Sequence, residues 1–193
     1  SLVTNMNNMF ANCKSLQSVP LFDTSLVTDM NGMFSGCDSL QSVPLFNTSS
    51  VTNMSSMFDS CYSLRSIPLF NTSAVTNMSW MFASIILTEL PVGFDTSSVT
   101  DMSGMLADTF ITSIPVLNTS AVTNMSDLFS GCYYLVDAQN ITLWNISSVT
   151  NMSYMFSGCS SLQSVPLFNT SSVTYMGGMF SGCTSLQSVP LFN

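Results

Sequence analysis

The sequence predicts a repeat solenoid, mainly β with little helix, that fills residues 1–193 as a single domain of about eight units. A fixed period is the first observation behind this prediction, because one Val-Thr pair recurs at spacings of 24, 24, 24, 24, 23, 27 and 24 residues. The second is that all 15 methionines fall in two columns of the repeat, where Leu128 fills a gap, as expected for packing positions. Repeats of this length bury their apolar faces by stacking, so we expect a stack that is part of a longer array.

Each unit of about 24 residues is predicted to hold one short parallel strand and one short helical or 3-10 turn. In the first unit the strand carries Leu16, Val19 and Leu21, and Pro20 ends it because proline lacks a ladder donor. The segment "NTSSVT" that follows has turn chemistry. The pattern "MxxMFSGC" has apolar residues at i, i+3 and i+4, which predicts the helical or 3-10 turn that closes the coil.

Two stretches depart from this pattern, near residues 82–117 and near residues 138–143. The segments from Phe82 to Pro91 and from Leu106 to Pro115 are each one residue shorter than their counterparts, and both lack the cysteine. The sixth unit instead gains a short insertion of three residues and loses its proline. We expect local bulges at these irregular units that leave the stack intact.

The recurring columns are L-x-x-V-P-L-F-N-T-S-x-V-T-N-M and M-F-x-x-C, and "LWNISSVTNMSYMFSGC" at residues 143–159 shows them most fully. In these columns the chain resembles the BspA-like leucine-rich repeats of bacterial and protist surface proteins, and the resemblance covers its whole length. It implies a solenoid of the leucine-rich-repeat type. It also implies an extracellular or cell-surface location and a non-enzymatic role in adhesion or envelope architecture.

Charge and composition exclude several classes of function. Only Lys14 and Arg65 are cationic and the formal net charge is −8, so nucleic acid is not an expected partner, because phosphate contacts need clustered basic residues. No apolar run reaches the length of a spanning helix, so direct membrane insertion is not expected. Without histidine there is no Ser-His or Cys-His pair, and no column brings carboxylates together in adjacent units, so we predict no enzyme activity and no cofactor.

Six cysteines occupy one column of the repeat: Cys13, Cys37, Cys61, Cys132, Cys159 and Cys183. Buried, reduced cysteines that act as small hydrophobic residues are the favoured interpretation. Disulfides between neighbouring units remain an alternative, because adjacent strands lie about 4.8 Å apart, within reach of a disulfide. Metal binding is disfavoured because the chain has no histidine and no C-x-x-C motif.

Asn and Asp alternate freely in one column, which indicates that a side-chain oxygen is needed there to accept a backbone N–H, as in an Asx-turn. This structural Asx ladder comprises Asp23, Asn47, Asn71, Asp95, Asn118, Asn145 and Asn169. Several asparagines are also sequons for N-glycosylation. The candidates are Asn140, Asn47, Asn71, Asn118 and Asn169, and Asn140 is expected to be the most accessible because it lies in the insertion.

Threonines form two further columns, and if both face outward they present a flat hydroxyl surface. The candidate exposed column is Thr28, Thr52, Thr76, Thr100, Thr123, Thr150 and Thr174, and the second runs through Thr24, Thr48, Thr72, Thr96, Thr119 and Thr170. The sequence therefore predicts an adhesive surface, rigid spacer or structural fibre element with an unknown protein or glycan ligand. Two alternatives remain open, which are an ice-binding protein and a glycosylated filament subunit formed by end-to-end self-association.

Overall fold

A computed structural model describes residues 2–192 of the chain. Here a unit begins at each Val-Thr pair, so the units are 3–26, 27–50, 51–74, 75–98, 99–121, 122–148, 149–172 and 173–192. Each unit lies on the next through a parallel bridge at an Asn, Asp or Tyr residue. The bridges join Asn5, Asp29, Asn53, Asn77, Asp101, Asn124, Asn151 and Tyr175 in succession.

Regular secondary structure is scarce in residues 2–192. Its one helix is a 3-10 helix, Gln139–Leu143, and its pairing consists of isolated bridges rather than strands. At the position of the predicted strand, bridges join only Ser113, Asp137, Ser164 and Ser188. The prediction of a short strand in every unit is therefore wrong in extent, since only four units pair at this position and each does so through a single residue.

The "MxxMFxxC" segment is a series of tight turns, so the predicted helical or 3-10 turn is wrong. In the second unit, the N–H groups of Met33 and Cys37 donate to the carbonyls of Met30 and Phe34, at 3.2 and 3.0 Å. The third residue of the latter turn, Gly36, has a φ of 71°, as a type II turn requires. Left-handed residues at both equivalent positions recur in all eight units and prevent a helix.

The N–H groups that the turns leave free donate to the next unit. For unit 2 these bonds are Met30 N to Asn53 O at 2.9 Å, Gly32 N to Ser55 O at 2.8 Å, Phe34 N to Met57 O at 3.0 Å and Gly36 N to Asp59 O at 2.8 Å. The main chain therefore alternates between bonds within a unit and bonds between units. This satisfies backbone donors that burial would otherwise leave costly.

Phenylalanine rings stack through the core in the same register. The ring centroids of Phe10, Phe34, Phe58 and Phe82 follow one another at 5.4, 5.8 and 6.2 Å, with planes within 6° of parallel. Leu106 interrupts this stack, which resumes from Phe129 onward. The two methionine columns pack beside the rings and are buried from Met30 to Met155. No helix among residues 2–192 is long and apolar enough to span a membrane.

The insertion in unit 6 folds back onto unit 5. Its 3-10 helix is followed by Trp144, whose indole Nε1 donates to the Pro115 carbonyl at 3.1 Å. Asn140 within the helix donates its side-chain amide to the Ile114 carbonyl at 2.8 Å. The extra residues thus bond to the carbonyls of the preceding unit while the main stack continues beneath them.

Candidate binding faces

Each residue of the Asx ladder accepts a hydrogen bond from the backbone N–H two residues further on. The seven N–H to Oδ1 distances lie between 2.9 and 3.2 Å. The same Asx-turn recurs six residues later, as in Ser55 N to Asn53 Oδ1 at 3.1 Å. Either Asn or Asp serves, because the bond uses only an oxygen that both share.

Asp23 shows what this turn does to a carboxylate. The hydroxyl and backbone N–H of Ser25 donate to Asp23, and these bonds hold the pKa of the carboxyl well below its ordinary value. Hydrogen bonds to the charged form of an acid favour that form. The ladder therefore remains an array of acceptors whether the position is Asn or Asp.

All seven members of the candidate Thr column are exposed, and so is Thr4 at the same position of the first unit. Both the backbone N–H and the hydroxyl of Thr52 donate to the Thr28 carbonyl in the preceding unit, at 2.9 and 3.2 Å. The hydroxyl bonds of the other members are similar, between 3.1 and 3.3 Å. Each exposed hydroxyl donates to the preceding unit, which leaves its oxygen lone pairs free to accept from solvent or a ligand.

The second Thr column is buried, so the two threonine columns do not form a common flat surface. Its members are 1% exposed. The hydroxyl of Thr72, for example, donates to the Asp95 carbonyl of the next unit at 2.6 Å. This column joins units from the inside and offers nothing to a ligand.

The exposed Thr column, the Asx ladder and the serines between them lie close together along each unit, and we call this set of positions the polar face. The serines that follow the Asx residues by two positions are all exposed: Ser25, Ser49, Ser73, Ser97, Ser120, Ser147 and Ser171. Only Asp23 and Asp95 bring charge to the ladder itself. The polar face therefore repeats the same uncharged donors and acceptors at one-unit spacing.

The candidate glycosylation sites differ in exposure. Asn47, Asn71, Asn118 and Asn169 are exposed on the polar face. Asn140 is half-buried, and its amide nitrogen, the atom that would carry a glycan, already donates to the Ile114 carbonyl. The expectation that Asn140 is the most accessible acceptor is therefore wrong, because the insertion folds back onto the preceding unit.

All six cysteines are free thiols. The buried ones donate to a carbonyl of the preceding unit, as Cys61 Sγ does to Phe34 O at 3.1 Å. Burial raises the pKa of Cys61 to about 12 and that of Cys132 to about 11, because a thiolate is disfavoured in an apolar core. Within residues 2–192, no cluster of Cys, Asp or Glu is arranged to hold a metal ion.

One exposed column was missed at the level of sequence. An aliphatic side chain stands two residues before the Asx position of each unit, or three before it at Val92, and it is between 49% and 96% exposed. These residues form the aliphatic column, which is Leu21, Leu45, Leu69, Val92, Val116, Leu143, Leu167 and Leu191. The available signal was the proline that precedes most members, because it shifts the alternation of inward and outward residues.

Comparison with known proteins gives one family and two structural likenesses. The model of the family described as "Mycoplasma protein of unknown function, DUF285" matches residues 1–90 and 87–191. A leucine-rich repeat protein from Bacteroides ovatus is similar with 16% identity and a TM-score of 0.47, over 97% of this chain and 58% of that one. A leucine-rich cell surface protein from Faecalibacterium prausnitzii is similar with 18% identity and a TM-score of 0.46, over 96% of this chain and 62% of that one.

The chain thus spans about three fifths of the length of these two proteins, 58% and 62%. No curated protein matches the sequence.

Proposed function

The chain belongs to the family described as "Mycoplasma protein of unknown function, DUF285", and we propose that it is a non-enzymatic repeat protein of the extracellular space or cell surface. In this proposal it is a BspA-like solenoid of the leucine-rich-repeat type. It acts as a rigid adhesive surface and spacer, and the polar face is its binding surface. The single observation that carries the proposal is the exposed, uncharged and strictly repeated Thr column.

Rigidity is supported by the bonds between units. Unit 2 alone donates four backbone N–H groups of its turn segment to unit 3, at 2.8 to 3.0 Å. The buried Thr column adds a side-chain bond from one unit to the next, as at Thr48 Oγ1 to Asn71 O, 2.8 Å. Bonds at regular intervals along the whole stack resist bending, as a spacer requires.

The chemistry of the polar face favours a neutral, hydroxyl-rich ligand. The hydroxyl oxygens and amide groups of this face can accept and donate hydrogen bonds. The face lacks the cations that a phosphate or sulfate polymer would need. Because identical groups recur at each unit, about 4.8 Å apart, a ligand with its own repeat can engage many of them at once. We therefore propose an uncharged polysaccharide as the ligand class.

Replacing three central threonines tests this assignment. The variant Thr76→Val, Thr100→Val and Thr123→Val keeps the side-chain shape and removes three exposed hydroxyls. If each ligand bond contributes about 0.5–1.5 kcal/mol, the triple variant should bind an array of immobilised polysaccharides at least tenfold more weakly.

The control variant carries Ser42→Ala, Ser66→Ala and Ser164→Ala, which remove three exposed hydroxyls outside the polar face. It should bind as the unmodified protein does. Equal binding by the two variants, or no saturable binding of the unmodified protein to any neutral polysaccharide, would contradict the proposed function.

Ice binding is a second candidate because one hydroxyl column does remain exposed at regular spacing. The surface available to ice is one exposed threonine column flanked by serines, since the second Thr column is buried. Thermal hysteresis of a purified sample tests this candidate. A difference between the melting and freezing temperatures that disappears in the triple threonine variant would favour ice binding over adhesion.

A further inference from the structure

One turn position of the repeat holds two large aromatic residues where the backbone favours small ones. It is the first of the two left-handed positions in each unit, and its φ lies between 53° and 66°. The position is occupied by Asn8, Gly32, Ser56, Trp80, Gly104, Asp127, Tyr154 and Gly178. Gly, Asn and Asp tolerate this conformation, whereas a bulky residue in it is an outlier. Trp80 and Tyr154, which we call the aromatic pair, therefore oppose the local preference of the turn, and such outliers cluster at functional sites.

Each ring of the aromatic pair lies over a glycine of the next unit. A Cβ added to Gly104 would meet Cδ2 of Trp80 first, and then Cε2 and Cε3 at 2.5 and 2.6 Å. Cδ2 is bonded to both of those atoms, so this point lies over the face of the indole and not at its edge. Atoms Cε1, Cδ1 and Cζ of the Tyr154 ring meet Gly178 in the same way. The glycine in each case leaves room for the ring to lie against the stack.

The aromatic pair is open to solvent and held in place. Trp80 is 40% exposed and Tyr154 is 51% exposed. Their backbone N–H groups donate to the Ser103 and Gly177 carbonyls of the next unit, at 2.8 and 2.9 Å. Rigid rings of this kind lose little conformational freedom when a ligand covers them. The pair thus offers two preorganised apolar surfaces.

An acidic side chain stands between the two rings in the same column. Trp80 and Tyr154 belong to units 4 and 7, three steps of about 4.8 Å apart, so roughly 14 Å separates them along the stack. Asp127 of unit 6 lies between them and is half-buried. Its carboxylate accepts no hydrogen bond from another residue within 2–192, so it can accept from the hydroxyls of a ligand.

We propose that Trp80, Asp127 and Tyr154 form a binding site for one chain of a neutral polysaccharide that lies along the stack. This inference rests on the proposed function, from which it takes the ligand class. The π-face of an aromatic ring is negative, so it attracts the C–H groups on the face of a sugar ring, while the sugar hydroxyls donate to the carboxylate. Thr76 and Thr150 of the exposed Thr column precede the two rings by four residues, so the site continues the polar face along the chain.

Removing both rings is the first test. The variant Trp80→Ser with Tyr154→Ser places at both positions the residue that unit 3 already has there, Ser56, so the fold should be retained. It should bind immobilised cellulose fragments, dextran, mannan or xylan at least about tenfold more weakly than the unmodified protein. The control, Tyr62→Ser with Tyr133→Ser, removes two rings outside this column that are 53% and 57% exposed, and it should bind as the unmodified protein does.

Removing the carboxylate is the second test. Asp127→Gly keeps a residue that suits the left-handed backbone and should weaken binding about tenfold, because the sugar hydroxyls lose a charged acceptor. Unchanged affinity would remove Asp127 from the site.

Tryptophan fluorescence tests the site in the unmodified protein, without reliance on any variant. Trp80 is 40% exposed, whereas the other tryptophan, Trp144, is 6% exposed. Acrylamide should therefore quench mainly Trp80 in the free protein, and a saturating polysaccharide from the same panel should protect it. Quenching that stays the same when polysaccharide is bound would overturn the inference.

The triple threonine variant separates this inference from the proposed function. Loss of binding in that variant, with full affinity in the variant that lacks both rings, would overturn the aromatic site and leave the polar face standing. Loss of binding only in the variant without the rings would support the aromatic site and contradict the threonines as the binding surface. The absence of saturable binding to every polysaccharide tested would contradict both.

Discussion

Substituting Gly104 with alanine should destabilise the stack through two separable effects. Gly104 has a φ of 60°, where an alanine is strained by about 1–2 kcal/mol. Its added Cβ would also lie 2.4 Å from Cδ2 of Trp80, whose indole covers it from the preceding unit. Displacing that ring adds about 1–3 kcal/mol, as overpacking does elsewhere, so Gly104→Ala should cost about 2–5 kcal/mol.

A double-mutant cycle separates the clash from the backbone strain. In a Trp80→Ser background the clash is absent, and Gly104→Ala should then cost only the strain of about 1–2 kcal/mol. Gly177→Ala is the matched control, because nothing lies within 4 Å of its added Cβ and its φ is not left-handed, so it should change stability little. Urea unfolding gives the free energies. An equal cost of Gly104→Ala with and without Trp80 would refute the proposed contact between the units.

Three further predictions concern a threonine, an aspartate and the thiols. Thr72→Val should destabilise the chain by about 1–3 kcal/mol in urea unfolding, because the Asp95 carbonyl loses a buried donor; no change would contradict the inward bond. Burial raises the pKa of Asp59, so ionisation opposes folding once the pH exceeds the unfolded value of about 3.9. Asp59→Asn should therefore raise the melting temperature at pH 7 but not at pH 3, and a uniform effect would exclude this cause. Among the thiols, exposed Cys13 should react with a thiol reagent well before Cys61, whose pKa is raised to about 12; equal rates would contradict the burial of the column.

The repeat register and the core positions could be predicted because they depend on periodicity alone. Columns such as Met30 and Val27 are buried in almost every unit, and their spacing in the sequence is enough to find them. The Asx-turns could also be predicted, since Asn and Asp share a side-chain oxygen that accepts a backbone N–H. Here local chemistry and stacking favour the same conformation.

The helical turn was mispredicted because apolar residues at i, i+3 and i+4 fit consecutive tight turns as well as a helix. The discriminating signal was the glycine of "SGC", such as Gly36, at the third position of a turn. Non-glycine residues such as Ser60 adopt the same left-handed conformation in other units, which hides the signal. Bonds to neighbouring units impose that conformation, so a single unit read alone does not reveal it.

The aliphatic column and Asn140 were misjudged for a related reason. Leu and Val are assigned to the core by default, and an insertion is assigned to the surface. In the structure, Leu45 and its equivalents are exposed, while the insertion folds back until Asn140 reaches Ile114. Both outcomes depend on contacts between units rather than on residue type.

Hydrogen exchange at individual amides, followed by NMR, tests the rigid stack that underlies both proposals. The amides of Met54, Ser56, Phe58 and Ser60 donate to unit 4 and should exchange slowly together. The amides of Leu45 and Leu69, in the aliphatic column, have no backbone partner in residues 2–192 and should exchange fast. Fast exchange at the four donors would contradict the account, because the units would then not be held in register.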